Sequence, residues 1–140
     1  MANNLYPLWK QALLNGEADV DLDSANLYLL LCDATYSYSA DDAFLDDVVG
    51  IVADSRTADA ALGSVTVDVA ALFDADDQAV SNVAGAQIVS LVLYRWTGAS
   101  ATSRLIMFQD TIGSGFPLTP NGGSVNIVWD AQGIFQLGGA

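Results

Sequence analysis

Carboxylates are the side chains in this sequence that could most readily take part in chemistry. The 140 residues include 17 Asp and Glu, four Lys and Arg, and no histidine. The acids are dense in residues 19–23, where Asp alternates with apolar residues, and in residues 73–77. Asp at alternate positions begins a calcium-binding loop, and paired carboxylates can serve as general acid and base. Both kinds of site make demands on the neighbouring residues.

Neither acidic segment meets those demands. A calcium loop that begins at Asp19 needs a glycine and a bidentate glutamate where this chain has Ser24 and Leu30. Residues 73–77 lack recognisable polar partners for a substrate, so a solvated turn whose Asp side chains bond the local backbone is favoured there. We predict no required metal and no cofactor, and weak cation binding at these segments stays open.

Nucleophilic catalysis also lacks its usual groups. Without histidine there is no Ser-His-Asp triad, no His-ligated zinc and no imidazole acid or base. The lone cysteine, Cys32, lies in an apolar run, and a reactive thiolate would need an activating base. We therefore predict a buried, inert Cys32. The Gly-Gly pairs near the C-terminus lack the spacing of a phosphate-binding loop. We expect no catalytic residues and no enzyme.

The negative charge lies in one half of the chain. Residues 1–77 carry fifteen acidic and two basic residues, and residues 78–140 carry two of each, so the first half holds the whole net charge of −13. Such a chain repels phosphate backbones and anionic membranes, so we predict no nucleic-acid and no membrane partner. The N-terminus lacks the basic region and long apolar core of a signal peptide, which predicts synthesis in the cytoplasm.

The element pattern predicts one domain over residues 1–140, with a helical segment at residues 1–17. The apolar stripe of this helix has the spacing i, i+3, i+4, i+7 and i+8 and consists of Leu5, Leu8, Trp9, Ala12 and Leu13. Asn3 or Asn4 would cap the helix, Pro7 suits its first turn, and Gly16 suits its end. The stripe docks either on a partner or, as is more usual, on the core of its own chain.

Most of the remaining chain has the composition and alternation of β-strands. The predicted strands are residues 27–32, 48–53, 65–69, 88–96, 105–108 and 125–129. A short helical turn capped by Ser39 is expected at residues 39–47, and turns break the pattern at 97–103 and 116–123. We predict an all-β, antiparallel β-sandwich of the jelly-roll type, with residues 86–137 as a central meander.

Strand 88–96 has two apolar faces. Val89, Leu91 and Leu93 are predicted to face the core. The opposite face, with Ser90, Val92, Tyr94 and Trp96, is too apolar for water, so either another chain or a loop or second sheet of the same chain covers it. Aromatic residues and Arg are favoured interface anchors. The candidate interface residues are Tyr94, Arg95 and Trp96, together with Leu5, Leu8 and Trp9 of the helix.

Six segments in chain order resemble a family of small structural proteins from tailed bacteriophages. They are residues 5–14 with Gly16, 29–33, 44–47, 73–77, 117–123 and 129–135, and residues 51–62 match least. The resemblance includes head decoration, or cement, proteins with jelly-roll-like sandwiches. It implies a virion structural protein that is made in the host cytoplasm and binds the major capsid protein on the outside of the head. It also implies a small homo-oligomer, and a dimer is favoured because isologous pairs are the commonest closed oligomers. The alternatives are a tail or baseplate component and a receptor- or carbohydrate-binding module.

Overall fold

The computed structural model describes residues 3–22, 26–57, 61–111 and 115–137. Its strands and its one described α-helix are, in chain order, β1 Asn4–Leu5, α1 Pro7–Leu14, β2 Leu27–Cys32, β3 Ile51–Asp54, β4 Thr66–Val67, β5 Leu72–Asp74, β6 Gln78–Val80, β7 Ser90–Arg95, β8 Leu105–Gln109, β9 Val125–Ile127 and β10 Phe135–Gln136. All strand pairs are antiparallel. The predicted all-β class is confirmed, and the arrangement is consistent with a β-sandwich.

Five strands form the main sheet in the order β1-β8-β7-β2-β3, and two smaller sheets have the orders β10-β5-β4 and β6-β9. The apolar strand β2 lies between β7 and β3, as its sequence predicts. The predicted meander is wrong beyond β8, because β9 pairs with β6 and β10 pairs with β5. Alternation identifies residues that form a strand, whereas the partner of that strand depends on contacts far along the chain.

The chain itself covers both faces of the main sheet. Val92 of β7 stands opposite Phe108 of β8, so these two side chains share a face with Ser90 and Tyr94. On that face Phe108 packs against the rings of Tyr36 and Tyr38, with centroids 6.0 and 5.4 Å away. The sequence left open whether another chain or a segment of the same chain covers this face. In the structure the loop that carries Tyr36 and Tyr38 covers it.

The helix begins later than its sequence suggests. Asn4 and Leu5 form β1 and pair with β8, so the predicted cap at Asn3 or Asn4 is wrong and Tyr6 precedes the first helical residue. Pro7 occupies the first turn, as predicted. The apolar stripe packs inward, with Trp9 1 % exposed. Its indole N–H donates to the Val20 carbonyl at 3.1 Å.

Two short segments also differ from their predictions. The helical turn expected at residues 39–47 is a single 3-10 turn, Leu45–Asp47. The Asp47 carboxylate caps it by accepting hydrogen bonds from the N–H groups of Ala43 and Phe44 at 2.8 and 3.0 Å. Ser39 instead accepts a bond from the Asp41 N–H. The strand expected at residues 65–69 is reduced to Thr66–Val67, both exposed. No described helix is long and apolar enough to span a membrane.

Candidate interaction sites

The acidic segments form intramolecular contacts rather than a ligand shell. Arg95 Nη1 donates to Asp19 and Asp21 at 3.2 and 2.8 Å, while Asp23 lies outside the described residues. In the second segment, Asp77 accepts from the Trp129 N–H at 2.9 Å, and Asp74 accepts from the N–H of the next residue. Within the described ranges no three His, Cys, Asp or Glu side chains are grouped to hold a metal ion.

Two of the six candidate interface side chains are inside the protein. Trp9 is 1 % exposed and Tyr94 is 0 % exposed, so neither presents a surface to a partner. For these two residues the interface prediction is wrong, because the chain folds its own segments over them. Leu5 and Leu8 are half-buried, and Leu5 packs against the core. The Arg95 guanidinium donates hydrogen bonds to the carboxylates of Asp19 and Asp21, and the Arg95 side chain is 14 % exposed.

Trp96 belongs to a partly exposed cluster that we call the Arg56 patch, formed by Tyr28, Asp54, Arg56, Tyr94 and Trp96. The Arg56 guanidinium carbon lies 3.9 Å from the centroid of the Trp96 ring, a cation–π contact. Arg56 Nε donates to the Tyr94 hydroxyl at 3.3 Å, and that hydroxyl donates to Asp54 at 2.7 Å. Tyr28 packs on Tyr94 with ring centroids 6.0 Å apart.

The patch draws on the three neighbouring strands β3, β2 and β7, whose register brings these groups together. Asp54 ends β3 and stands opposite Leu30, and Tyr94 near the end of β7 stands opposite Tyr28. Burial, followed by the hydrogen bond to Asp54, raises the pKa of Tyr94, so the phenol stays protonated and keeps donating. The outcome is a rigid Arg–Trp pair at the surface, with Arg56 34 % exposed. This arrangement suits binding.

Sequence reasoning found Trp96 but missed Arg56 and Tyr28. Arg56 lies in residues 51–62, a segment that contributes none of the motifs singled out in the sequence. Its contact with Trp96 spans 40 positions, which no local pattern reveals. The signal available in the sequence was composition, since Arg56 is one of three arginines in an acidic chain.

A groove of about 650 Å³ opens between the main sheet and the segment around β9. Leu31 and Leu91 form its sheet wall, and Phe116, Ile127 and Trp129 lie across from them. Val125, Ile127 and Trp129 alternate with exposed residues, as their spacing predicts. Among the described residues six large aliphatic side chains are exposed, namely Leu14, Val49, Ile51, Val67, Val69 and, in the groove, Val128.

Comparisons of the chain with protein-family models and with curated proteins give no relative from which a function could be transferred. No protein-family model matches it, and a search of curated proteins finds no match. The function is therefore inferred from the residues and contacts of this chain.

Proposed function

We propose that this protein is a structural component of a phage virion, a decoration or cement protein that binds the outside of the head. The observation that carries the proposal is the Arg56 patch. Trp, Tyr and Arg are the residue types most enriched at binding hot spots. Here an Arg and a Trp are stacked at the surface by a cation–π contact, and the buried Tyr94 hydroxyl accepts a hydrogen bond from the Arg. The segments that resemble phage decoration proteins support the same role.

Such a patch favours binding because little order is lost on association. Immobilising a flexible side chain costs about 0.5–1.5 kcal/mol at an interface. Arg56 and Trp96 are already stacked in the free chain. In the proposed mechanism the patch contacts the major capsid protein, and many copies bridge neighbouring subunits. The modest binding free energies of many copies then sum to a large increase in shell stability, because a ligand that prefers the intact lattice stabilises that lattice.

The test uses heads assembled without this chain. We expect the purified protein to co-sediment with them saturably and to raise the temperature at which they rupture. Trp96→Ser should weaken binding by at least about tenfold, as the loss of a hot-spot aromatic does. Leu14→Ser is the matched control, because it also removes an exposed apolar side chain, one that is 88 % exposed and outside the patch.

Four results would contradict the proposal or its interface. Heads that neither bind the protein nor gain heat resistance would rule out cementing. Labelling of the tail tip in place of the head would favour a tail or baseplate role. Saturable binding to a glycan, with no binding to heads, would favour a receptor- or carbohydrate-binding module. A Leu14→Ser defect as large as that of Trp96→Ser would move the interface away from the Arg56 patch.

A further inference from the structure

Two Asn-Gly pairs occur in the chain, Asn15–Gly16 and Asn121–Gly122. This dipeptide is chemically labile, because the backbone nitrogen that follows an Asn can attack the side-chain amide, and a glycine there has no Cβ to hinder the approach. All four residues are exposed, so water reaches both pairs. A difference in their reactivity must therefore come from how the fold holds the two reacting groups.

The reaction is deamidation, and water is its only co-reactant. The glycine nitrogen loses its proton and attacks Cγ of the Asn. A new C–N bond forms, the Cγ–Nδ2 bond breaks, and the side-chain nitrogen leaves as ammonia. The resulting succinimide takes up a water molecule at either carbonyl, which gives Asp or isoaspartate. In isoaspartate the main chain runs through Cβ and Cγ and is longer by a methylene. Ring closure thus requires an Asn side chain that can rotate and a glycine N–H that is not held by another group.

The fold holds both reacting groups of the Asn121–Gly122 pair. The Asn121 Oδ1 atom accepts a hydrogen bond from the Gly123 N–H at 2.9 Å, which fixes the side chain. The Gly122 N–H, the group that would attack, donates to the Val83 carbonyl at 2.8 Å. The Val83 N–H donates in turn to the Gly123 carbonyl at 3.0 Å, and Val83 is 1 % exposed. This turn must therefore break several hydrogen bonds and separate from a buried residue before it can react.

The Asn15–Gly16 pair lies at the exposed C-terminal end of α1. The Gly16 N–H donates to the Leu13 carbonyl at 3.2 Å, and Gly16 has φ +66°. The Glu17 N–H donates to the Ala12 carbonyl at 3.0 Å, which completes a Schellman cap. Among the residues that the structure describes, the Asn15 side-chain amide has no hydrogen-bond partner. Helix ends open locally at low cost, so here the attacking nitrogen is released by fraying of the last turn.

We propose that Asn15 is a site of spontaneous deamidation in the folded protein and that the fold protects Asn121. The modification weakens the end of α1. An Asp at position 15 places a negative charge beside the negative end of the helix dipole. Isoaspartate lengthens the main chain directly before Gly16, which moves the N–H groups of Gly16 and Glu17 away from their carbonyl partners. The proposal does not depend on whether the protein binds a phage head.

The test ages the full chain at physiological temperature and mildly alkaline pH and then digests it with trypsin. Cleavage after Lys10, Arg56 and Arg104 places Asn15 in peptide 11–56 and Asn121 in peptide 105–140. Mass spectrometry measures the gain of mass when –OH replaces –NH₂, and fragmentation locates the residue. In the folded chain Asn121 should convert at least about tenfold more slowly than Asn15, because its turn must open first. In guanidinium chloride the two rates should agree within about twofold, because no fold distinguishes the two pairs.

Two variants separate the site from the fold. Asn15→Gln keeps an amide whose larger ring closes far more slowly, so the gain of mass in peptide 11–56 should disappear. Val83→Ala removes buried volume beside the Asn121 turn, so conversion of Asn121 should rise severalfold while that of Asn15 stays within about twofold of the parent. Conversion of Asn121 as fast as that of Asn15 in the folded parent would overturn the proposal, as would a gain of mass at Asn26 in place of Asn15. A folded chain in which neither pair converts, while the denatured chain does, would also overturn it.

Discussion

At the scale of residues, the protein buries several phenols and a thiol that it keeps protonated. Burial is the main reason that the pKa values of Tyr6, Tyr36 and Tyr94 lie above the ordinary value of 10.0. Burial and the nearby Asp33 carboxylate raise the pKa of the Cys32 thiol to about 12. An inert, buried thiol at this position was predicted from its apolar neighbours.

These groups predict loss of stability at alkaline pH. In the unfolded chain the tyrosines ionise near pH 10, whereas in the folded chain they hold their protons to higher pH. Above that pH the unfolded state binds fewer protons, so the free energy of unfolding falls by about 1.4 kcal/mol per pH unit for each tyrosine. Urea unfolding at a series of pH values from about 8 to about 12 should show this decline in the free energy of unfolding.

The variant Tyr36→Phe tests the origin of this slope. It removes one of the groups whose pKa is raised, so the decline above pH 10 should become shallower by about 1.4 kcal/mol per pH unit, the contribution of one ionising group. At neutral pH the same variant should lose about 1–2 kcal/mol, because Tyr6 and Asp42 each lose a hydrogen-bond partner. A free energy of unfolding that is flat from pH 9 to pH 11 in the parent chain would contradict the assignment.

At the scale of elements, one glycine shapes the turn directly before the edge strand β3. Gly50 has φ +65°, and its carbonyl accepts the Asp33 N–H at 2.9 Å. A Cβ at Gly50 would overlap the Asp33 carboxylate and lie 2.9 Å from the Thr35 Cβ. Gly16, after the helix, has nearly the same φ of +66°, and a Cβ there would meet nothing within 4 Å. The two glycines therefore separate backbone strain from steric overlap.

We expect Gly16→Ala to lower the free energy of unfolding by about 1–2 kcal/mol, the usual cost of the left-handed conformation. Gly50→Ala should cost clearly more, because the same strain is joined by overlap with the residue 33–35 turn. Chemical denaturation of both variants beside the parent measures the difference. If the two variants are equally destabilised, the turn relaxes freely and is not a fixed support for β3.

The elements also show what the sequence could and could not predict. The strand at Leu27–Cys32 was predicted almost to the residue, because a continuous apolar run specifies a strand with neighbours on both sides. The pairing of β9 with β6 was not predicted, because no local sequence pattern specifies which of two distant strands will pair. The same limit applies to the sites. Trp96 was identified by type, whereas its contact with Arg56 depends on the fold.

At the scale of the whole molecule, the acidic side chains of the described residues are exposed or partly exposed. No acidic residue within the described ranges is buried, and several bond their own turns. This exposure keeps the self-repulsion of the net charge of −13 small. It also sets a condition for assembly, because two copies of the chain repel each other unless an apolar contact or a cationic partner offsets the charge.

We predict a homodimer, the commonest closed oligomer, whose contact includes Trp96. Because both protomers are strongly negative, the dimer should tighten with salt. The Debye length falls from about 30 Å at 0.01 M ionic strength to about 8 Å at 0.15 M, which screens the repulsion and leaves apolar contacts intact. Sedimentation velocity at these two ionic strengths measures the change in the monomer–dimer equilibrium.

The variants used for head binding decide where that contact lies. Trp96→Ser should weaken the dimer at both salt concentrations, while Leu14→Ser should leave it unchanged. A parent chain that stays monomeric at high micromolar concentration in both buffers would show that the dimer prediction is wrong. A dimer that weakens as salt is added would be held by opposite charges, which contradicts an interface built on Trp96.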